Sequence, residues 1–475
     1  MRPVIPALAA VLWAAAPAMA QQTSADPFPT PIPANEGVVR VSFREFASLP
    51  DFNNQAARMM ILVDEPGTKR LFVNDMRGPI YSISYDGKAV ASYVDTNAPQ
   101  WGHPINSQGN ERGMNSFAFH PQFAQAGTPG YGKFYTFTDT SNMTPTPDYR
   151  PEGPQATHHT VLLEWTAKTP AAATYDGGPP RELLRMVQPF GNHNAGQIAF
   201  NPNTRPGGPD FGLLYISFAD GGSGGDPMNM AQNMASIFGK MLRIDPLGNN
   251  SANKKYGIPA SNPFVADKNP RTLDEIYVVG LRNPQRFAWD SRNGNLFVAD
   301  IGQNIVEEVS VVTAGSNAGW NVWEGSFRYV GRQGVDTSNP RGDAKMVYPV
   351  AEYGQMDPLL QGQSAVTMGY VYRQSTIPQL ANLVIFGDNP SGEIFYINAD
   401  KLPPQGGQDA IRRILLNDNG TAKTLLQVIQ EKNKVQSRTP ATRVDLRFGS
   451  GPNGQIFLLN KRDGTIRLLV PDGTR

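Results

Sequence analysis

FGLLYISFADGG, residues 211–222, holds a run of Leu, Tyr, Ile and Phe between Gly212 and the polar stop Asp220. A run of this length and composition is typical of a β-strand and is too short for a helix. Five further stretches repeat the order of turn residue, apolar run and polar stop: RLFVNDMRGPIYSIS (70–84), YGKFYTFTDT (131–140), NGNLFVADIGQ (293–303), NLVIFGDNPSGEIFYI (382–397) and NGQIFLLNKRDGTIRLL (453–469). The six polar stops are Asp75, Asp139, Asp220, Asp300, Asp388 and Asn460, and successive stops lie 64 to 88 residues apart.

Six similar β units, with no convincing helical periodicity between them, predict an all-β fold. The fold they favour is a six-bladed β-propeller of four-stranded antiparallel blades. Because the spacing exceeds the length of an ordinary blade, we expect long inserted loops, which are common places for a binding site. A pair of β-sandwich domains would also give regular short strands. Residues 40–470 contain no linker-like change of composition, which favours one closed domain.

The N-terminal region differs from the rest of the chain. Residues 1–20, MRPVIPALAAVLWAAAPAMA, combine Arg2, a short apolar stretch and the small residues of Ala18-Met19-Ala20, which is typical of a signal peptide. Residues 21–39 are rich in proline and polar residues and predict an extended N-terminal arm. Residues 40–475 form the propeller in this division. We expect a periplasmic or secreted protein with no integral membrane segment after signal removal.

Composition excludes several classes of function. The chain has no cysteine, which rules out disulfides, thiolate metal sites and cysteine nucleophiles. Its 42 basic and 41 acidic side chains are nearly balanced and form no long basic run, so we expect no nucleic-acid partner. None of its five histidines has the i, i+4 spacing of a helical zinc site.

One histidine stands out by its context. GNHNAGQIAFNPN, residues 191–203, places His193 between two asparagines and just before an apolar run. An imidazole titrates near neutral pH and can act as a general base. A single histidine before a strand is more often structural, so the local pattern leaves both interpretations open.

A set of ordered motifs bears on that choice. They are ERGMNSFAFHPQF (111–123), GNHN (191–194), FADGGSGGDPMNMAQN (218–233), GKMLRIDP (239–246), GLRNPQRFAWD (280–290), ADIGQNIVEEVSVVTAGSNAGWNVWEG (299–325) and VDLRFGSGPNGQIFLL (444–459). From about residue 60 to the C-terminus, the chain resembles the secreted glucose/sorbosone dehydrogenase family. That family includes soluble aldose sugar dehydrogenases that use pyrroloquinoline quinone (PQQ), and also hedgehog-interacting-protein-like propellers. Its six-bladed fold agrees with the repeat count.

The resemblance implies an exported quinoprotein dehydrogenase that oxidises an aldose hydroxyl to a lactone by hydride transfer to PQQ. His193 matches the family's general base, and Asp220 matches the carboxylate that orients it. Arg282 and Asn283 match residues that contact cofactor and substrate, and the arginine would stabilise negative charge on the quinone. The implied partners are a small sugar or polyol substrate and an external electron acceptor.

The resemblance also implies Ca²⁺. Glu308 and the backbone carbonyl of Ala318 match a calcium site with the family's ten-residue spacing, and hard oxygen ligands suit this ion. Without the resemblance, Glu307 and Glu308 read as a solvent-facing pair at the start of a strand. Such a calcium ion would be structural.

Several positions depart from the pattern of the sugar dehydrogenases. Glu111 stands where a cofactor-facing glutamine is expected, and Pro390 where a lysine would pair with a quinone carboxylate. Arg443 and Arg447 do not align cleanly with the expected arginine pair, and ADIGQNIVEE (299–308) lacks the usual Gly-Pro. These changes leave open a non-enzymatic propeller that binds glycan or protein ligands, with a degenerate cofactor site. A calcium-dependent lactonase-type propeller is a third reading.

Overall fold

The computed structural model describes residues 26–153, 156–194, 196–331 and 334–474, so the signal peptide predicted at 1–20 lies outside the described residues. The strands, in chain order, are β1 (Val39–Ser48), β2 (Met59–Glu65), β3 (Arg70–Asp75), β4 (Pro79–Ser84), β5 (Val90–Asp95), β6 (Met114–Phe119), β7 (Lys133–Thr140), β8 (His158–Thr166), β9 (Arg181–Gln188), β10 (Ile198–Phe200), β11 (Leu214–Phe218), β12 (Lys240–Ile244), β13 (Ile276–Val279), β14 (Pro284–Trp289), β15 (Leu296–Asp300), β16 (Val306–Val312), β17 (Trp323–Glu324), β18 (Phe327–Gly331), β19 (Gly334–Asp336), β20 (Ala351–Gly354), β21 (Val366–Tyr372), β22 (Leu383–Asp388), β23 (Ile394–Asn398), β24 (Arg412–Asp418), β25 (Thr421–Lys423), β26 (Arg447–Ser450), β27 (Ile456–Leu459) and β28 (Thr465–Val470). One α-helix, α1, spans Leu425–Val435, and short 3₁₀ turns lie at Pro99–Trp101, Val265–Asp267, Pro358–Leu360 and Pro378–Leu380.

These strands form six four-stranded antiparallel blades. The first five blades are β2–β5, β6–β9, β10–β13, β14–β16 with β20, and β21–β24. The sixth blade joins β26–β28 to the N-terminal strand β1, which pairs antiparallel with β28 and also runs parallel to β24. The two ends of the chain therefore share one blade, which closes the ring. The six-bladed propeller is confirmed, and the pair of β-sandwich domains is wrong.

The hydrophobic core lies between neighbouring blades. Between the first two blades, Phe72, Phe117 and Phe134 are fully buried, and Phe134 stacks on Trp165 at 5.8 Å between ring centroids. Each such side chain contributes roughly 1.5–3 kcal/mol through removal of apolar surface from water. This face-to-face packing keeps the blades rigid enough to hold a site at their ends.

Each polar stop lies within two residues of the C-terminal end of the second strand of its blade; these strands are β3, β7, β11, β15, β22 and β27. In four blades the stop carboxylate accepts a backbone N–H from just before the blade's first strand, over 2.8–3.1 Å. The pairs are Arg58 N with Asp75, Gly113 N with Asp139, Arg282 N with Asp300 and Ala365 N with Asp388. These buried carboxylates tie the two inner strands together at one end of the propeller.

Two insertions modify the regular plan. A small three-stranded sheet, β17–β19, is inserted between β16 and β20. The helix α1 follows the fifth blade, in a segment where the sequence shows no convincing helical periodicity. Thr424 and Gln427 form a capping box at its start, and its apolar face, including Leu425 and Ile429, is buried.

The described part of the predicted arm lies against the fourth and fifth blades. The Phe28 ring meets the Phe327 ring of the inserted sheet edge-on at 5.7 Å. Ile32 is buried, and its N–H donates to Asp357 Oδ2 at 2.8 Å. Across the described ranges, no helix has the length and apolarity that crossing a membrane requires.

Candidate active site

His193 lies five residues before β10, in a strained backbone conformation. Its φ is +54°, in the left-handed region, which costs a non-glycine residue on the order of 1 kcal/mol. The backbone N–H of His193 donates to Glu111 Oε2 at 2.7 Å, and the residue is buried. Glu111, which the sequence placed at a cofactor-facing position, therefore also holds the backbone that presents the imidazole.

Asp220 holds the imidazole from one side. His193 Nδ1 lies 2.6 Å from Asp220 Oδ1, which also accepts the N–H of Gly222 at 3.0 Å. Asp220 Oδ2 accepts the indole N–H of Trp320 at 2.9 Å. Asp220 is the polar stop of the third blade, and the imidazole takes the place that a backbone N–H has in four other blades. Nδ1 therefore carries the proton, and the lone pair of Nε2 is left for another partner.

Arg282 faces that lone pair. Its Nη2 lies 3.1 Å from His193 Nε2, its Nη1 donates to Ile301 O at 2.8 Å, and its Nε and Nη2 lie 3.2 Å from Gln303 Oε1. The guanidinium also lies over the Trp320 ring, 5.6 Å from the ring centroid. Arg282 is buried and forms no ion pair with a carboxylate of the described residues. It therefore has charge available for an anion beside the imidazole.

Asn283 comes next in the chain and is also buried. Its backbone N–H donates to Asp300 Oδ1 at 2.6 Å, whereas its side-chain Oδ1 has no hydrogen-bond partner among the described residues. Burial raises the pKa of Asp300, against the lowering effect of the N–H groups of Arg282 and Asn283. A buried amide oxygen without a partner is a candidate contact for a ligand.

A cavity of about 330 Å³ adjoins this cluster, and we call it the cation-lined cavity. Its wall is made of Asn110, Glu111, Gln285, Ile301, Gln363, Ser364, Ala365, Asn389, Pro390, Arg443, Asp445, Arg447 and Lys461. Glu111 and Ile301 connect it to the histidine and arginine through the hydrogen bonds described above. Its size is within the range of small-molecule sites.

Some charged side chains of the cavity wall form ion pairs and others do not. Arg443 Nε donates to Asp445 Oδ1 at 2.8 Å, and the other oxygen of Asp445 pairs with Arg462. Arg447 donates to Gln285 Oε1 at 2.8 Å, and neither it nor Lys461 has an ion pair in the described part of the chain. Burial lowers the pKa of Arg447 to about 10. The sequence singled out Arg443 but missed Lys461, which follows the polar stop of the last blade.

The two residues of the predicted calcium site are both buried. Glu308 Oε1 accepts the N–H of Gly325 at 2.7 Å, and Ala318 donates its N–H to Val279 O at 2.8 Å. Burial, together with nearby Asp300, raises the pKa of Glu308 well above its ordinary value. The reading of Glu307 and Glu308 as a solvent-facing pair is wrong, because both pack inside the fourth blade.

The calcium ligands themselves stay a prediction. Within the described ranges, no group of three or more His, Asp or Glu side chains is arranged to hold a metal ion. The predicted site consists of one carboxylate and one backbone carbonyl.

Residues 56–468 match the Glucose / Sorbosone dehydrogenase family, and the chain belongs to that family. It is 36% identical over 314 residues to the HIPL1 protein of Arabidopsis thaliana, covering 58% of this chain and 43% of that protein. It is 25% identical to the Hedgehog-interacting protein of Homo sapiens, covering 74% of this chain and 49% of that protein. The chain thus spans less than half the length of these two relatives.

Among solved structures, the chain resembles the PQQ-bound aldose sugar dehydrogenase of Streptomyces coelicolor. The TM-score is 0.55 at 18% identity, with 90% of this chain and 96% of that chain covered. At this identity the likeness establishes the propeller fold alone.

Proposed function

We propose that the protein is an exported, PQQ-dependent dehydrogenase that oxidises the anomeric hydroxyl of an aldose to a lactone. The observation that carries this proposal is the placement of the His193 imidazole between Asp220 and Arg282, beside a cavity rich in cations. Membership of the glucose/sorbosone dehydrogenase family supports it. Export follows from the leader predicted at residues 1–20, and a mature N-terminus at Gln21 would be its signature.

The chain's own residues supply the proton chemistry. His193 Nε2 takes the proton of the sugar hydroxyl, once that hydroxyl replaces Arg282 as its hydrogen-bond partner. Asp220, held by Gly222 and Trp320, stabilises the imidazolium that results. Arg282 would then be free to pair with negative charge on a bound quinone. A positioned base of this kind contributes about 10²–10⁴ in rate.

The residues present fit PQQ, which supplies a quinone that accepts a hydride and carries three carboxylates. Lys461, Arg447 and Arg443 would hold the carboxylates, and two of these cations have no described carboxylate partner. Arg282, Asn283 and Glu111 would lie toward the quinone, where the Asn283 amide oxygen lacks a hydrogen bond within the described structure. Charge-assisted hydrogen bonds of this kind are the strong ones.

A structural Ca²⁺ bound by Glu308 and the Ala318 carbonyl is part of the proposal. The support is chemical, because Glu308 is buried beside Asp300 and Glu352 and a divalent cation would offset their mutual repulsion. Chelation would then lower the melting temperature of the purified protein, and added Ca²⁺ would restore it.

A second candidate is a non-enzymatic propeller that binds glycan or protein ligands. The identity to the Hedgehog-interacting protein favours it, as does Pro390 in the cavity wall, where the resemblance expects a lysine. This candidate predicts no specific PQQ binding.

Reconstitution separates the two candidates. The protein loaded with PQQ and Ca²⁺ is expected to reduce an artificial electron acceptor when aldoses are added. His193→Ala should lower kcat by about 10²–10⁴ while PQQ still binds, because only the base is removed. Activity unchanged in His193→Ala would exclude the mechanism, and wild-type protein that fails to bind PQQ would favour the second candidate.

A further inference from the structure

Lys461 occupies an unusual position for a lysine. It follows the polar stop Asn460 in the turn between β27 and β28, and only 6% of its surface is exposed. Its Nζ donates to the backbone carbonyl of Asn110 at 2.8 Å, and no ion pair to a described carboxylate accompanies this bond. Lysines are seldom buried unless they are paired.

Asp445, a carboxylate of the same cavity wall, already pairs with two arginines. It is buried, and its two oxygens pair with Arg443 and Arg462. Arg447, which also lines the cavity, donates to Leu446 O and Gln285 Oε1, and its Nε has no partner within the described residues. Lys461 and Arg447 are thus two buried cations that line one cavity, and neither forms an ion pair with a described carboxylate, although Asp445 lies near enough to attract both.

Two unpaired buried charges of the same sign are expensive. Burying an ionised group without a partner is unfavourable, and each of the two cations disfavours the other. Burial, followed by the proximity of Arg447, lowers the pKa of Lys461 well below its ordinary value. An anion bound between the two side chains would offset both costs.

We infer that Lys461 and Arg447 form a carboxylate-binding subsite in the cation-lined cavity, which takes an aromatic polycarboxylate. The inference rests on the proposed function, in which that ligand is PQQ. The resemblance expects a lysine at position 390 in the fifth blade, where this chain has Pro390. In our inference Lys461, in the sixth blade, provides that positive charge instead. Pro390 lines the same cavity but is uncharged, so the cation at this cavity comes from a different blade.

Equilibrium binding to the full chain tests the subsite with three probes. PQQ carries both quinone and carboxylates, benzene-1,3,5-tricarboxylate carries carboxylates alone, and phenanthrenequinone carries an uncharged quinone. We expect the first two to bind and their Kd to rise with ionic strength. Lys461→Gln should raise both Kd values by about tenfold or more, whereas Lys461→Arg should keep most of the affinity. Lys88→Gln, which changes an exposed lysine, is the matched control.

The outcomes separate the subsite from the proposed function. If PQQ binds equally to wild type and Lys461→Gln, the subsite is overturned and the proposed function stands. If the tricarboxylate binds in a Lys461-dependent way but PQQ does not bind, the subsite stands and the proposed function fails. If neither probe binds to wild type, both fail. Thermal melting of each variant verifies folding, and Lys461→Met provides a second uncharged variant.

Discussion

Among the polar stops, Asp220 differs from four others in the group that it binds. Asp75, Asp139, Asp300 and Asp388 accept backbone N–H groups at the start of their own blades, whereas Asp220 accepts the imidazole of His193. Asp220, a carboxylate at a position that is structural in four other blades, is thus the hydrogen-bond partner of the candidate base His193. The strained φ of His193 fits this interpretation, because strain persists where the surroundings fix a functional geometry.

Trp320 should act as a positioning residue for this pair. Trp320→Phe removes the N–H that Asp220 Oδ2 accepts but keeps a ring against Arg282. We expect a loss in kcat of about tenfold, since a buried acceptor without its donor costs about 1–3 kcal/mol. The acidic limb of the pH profile of kcat should also shift, because Asp220 would lose one hydrogen-bond donor and its interaction with the imidazole of His193 would change.

The control for that variant is Trp323→Phe. Trp323 lies three residues further on, at the start of β17, and its ring lies against Tyr348, 5.3 Å between centroids. If both variants change kcat equally and neither moves the pH profile, Trp320 has a purely structural role.

At the scale of elements, β15, β16 and β20 bring carboxylates together. Asp300, Glu308 and Glu352 lie in register on these three strands. Glu307 points to the next blade, where its Oε2 accepts the N–H of Val366 at 2.8 Å. Burial raises the pKa of Glu307 to about 8. This carboxyl group therefore joins the fourth blade to the fifth.

The raised pKa of Glu307 predicts a pH-dependent contribution to stability. The folded chain holds a proton that the unfolded chain releases near pH 4.3, so this contribution is complete below that pH. It is lost as the pH rises through about 8. Glu307→Gln cannot release a proton, so its melting temperature relative to wild type should rise between pH 5 and pH 9. The expected slope is on the order of 1.4 kcal/mol per pH unit while only the folded wild type stays protonated.

Melting curves of both proteins across this pH range measure the effect. A difference in melting temperature that stays constant from pH 5 to pH 9 would contradict the assigned role of Glu307. Lys88→Gln again serves as a surface control.

The sequence predicted the second strands of the blades and three residues of the candidate site. The repeated runs with polar stops mark the second strands because each run is local in sequence, and the motifs locate His193, Asp220 and Arg282. Helix α1 was missed because it is a single eleven-residue segment within a β-rich chain. Lys461 and the indole contact of Trp320 were missed because only the closed ring brings them to the site, across 351 and 100 residues from their partners.

At the scale of the whole molecule, closure of the ring depends on β1. This strand completes the sixth blade, and Val41 is fully buried in the core shared with the fifth blade. Val41→Asp would place an unpaired charge there and should lower the free energy of unfolding by about 3 kcal/mol or more. Chemical denaturation of the purified variant measures this loss.

Arg40→Asp is the matched control, because Arg40 is the preceding residue of the same strand and is exposed. We expect its effect to be within about 0.5 kcal/mol. Equal destabilisation by both substitutions would contradict the role of β1 in ring closure.

Under the proposed function, His193, Arg282 and a bound quinone would share a single site. The most direct test is an anaerobic absorbance measurement on the PQQ-loaded protein as an aldose is added. We predict a spectral shift on binding of PQQ, and then reduction of one equivalent of quinone per chain. His193→Ala should show the first change and only a slow second one. Wild-type protein that binds no PQQ, or a His193→Ala variant that reduces the quinone as fast as wild type, would contradict the account.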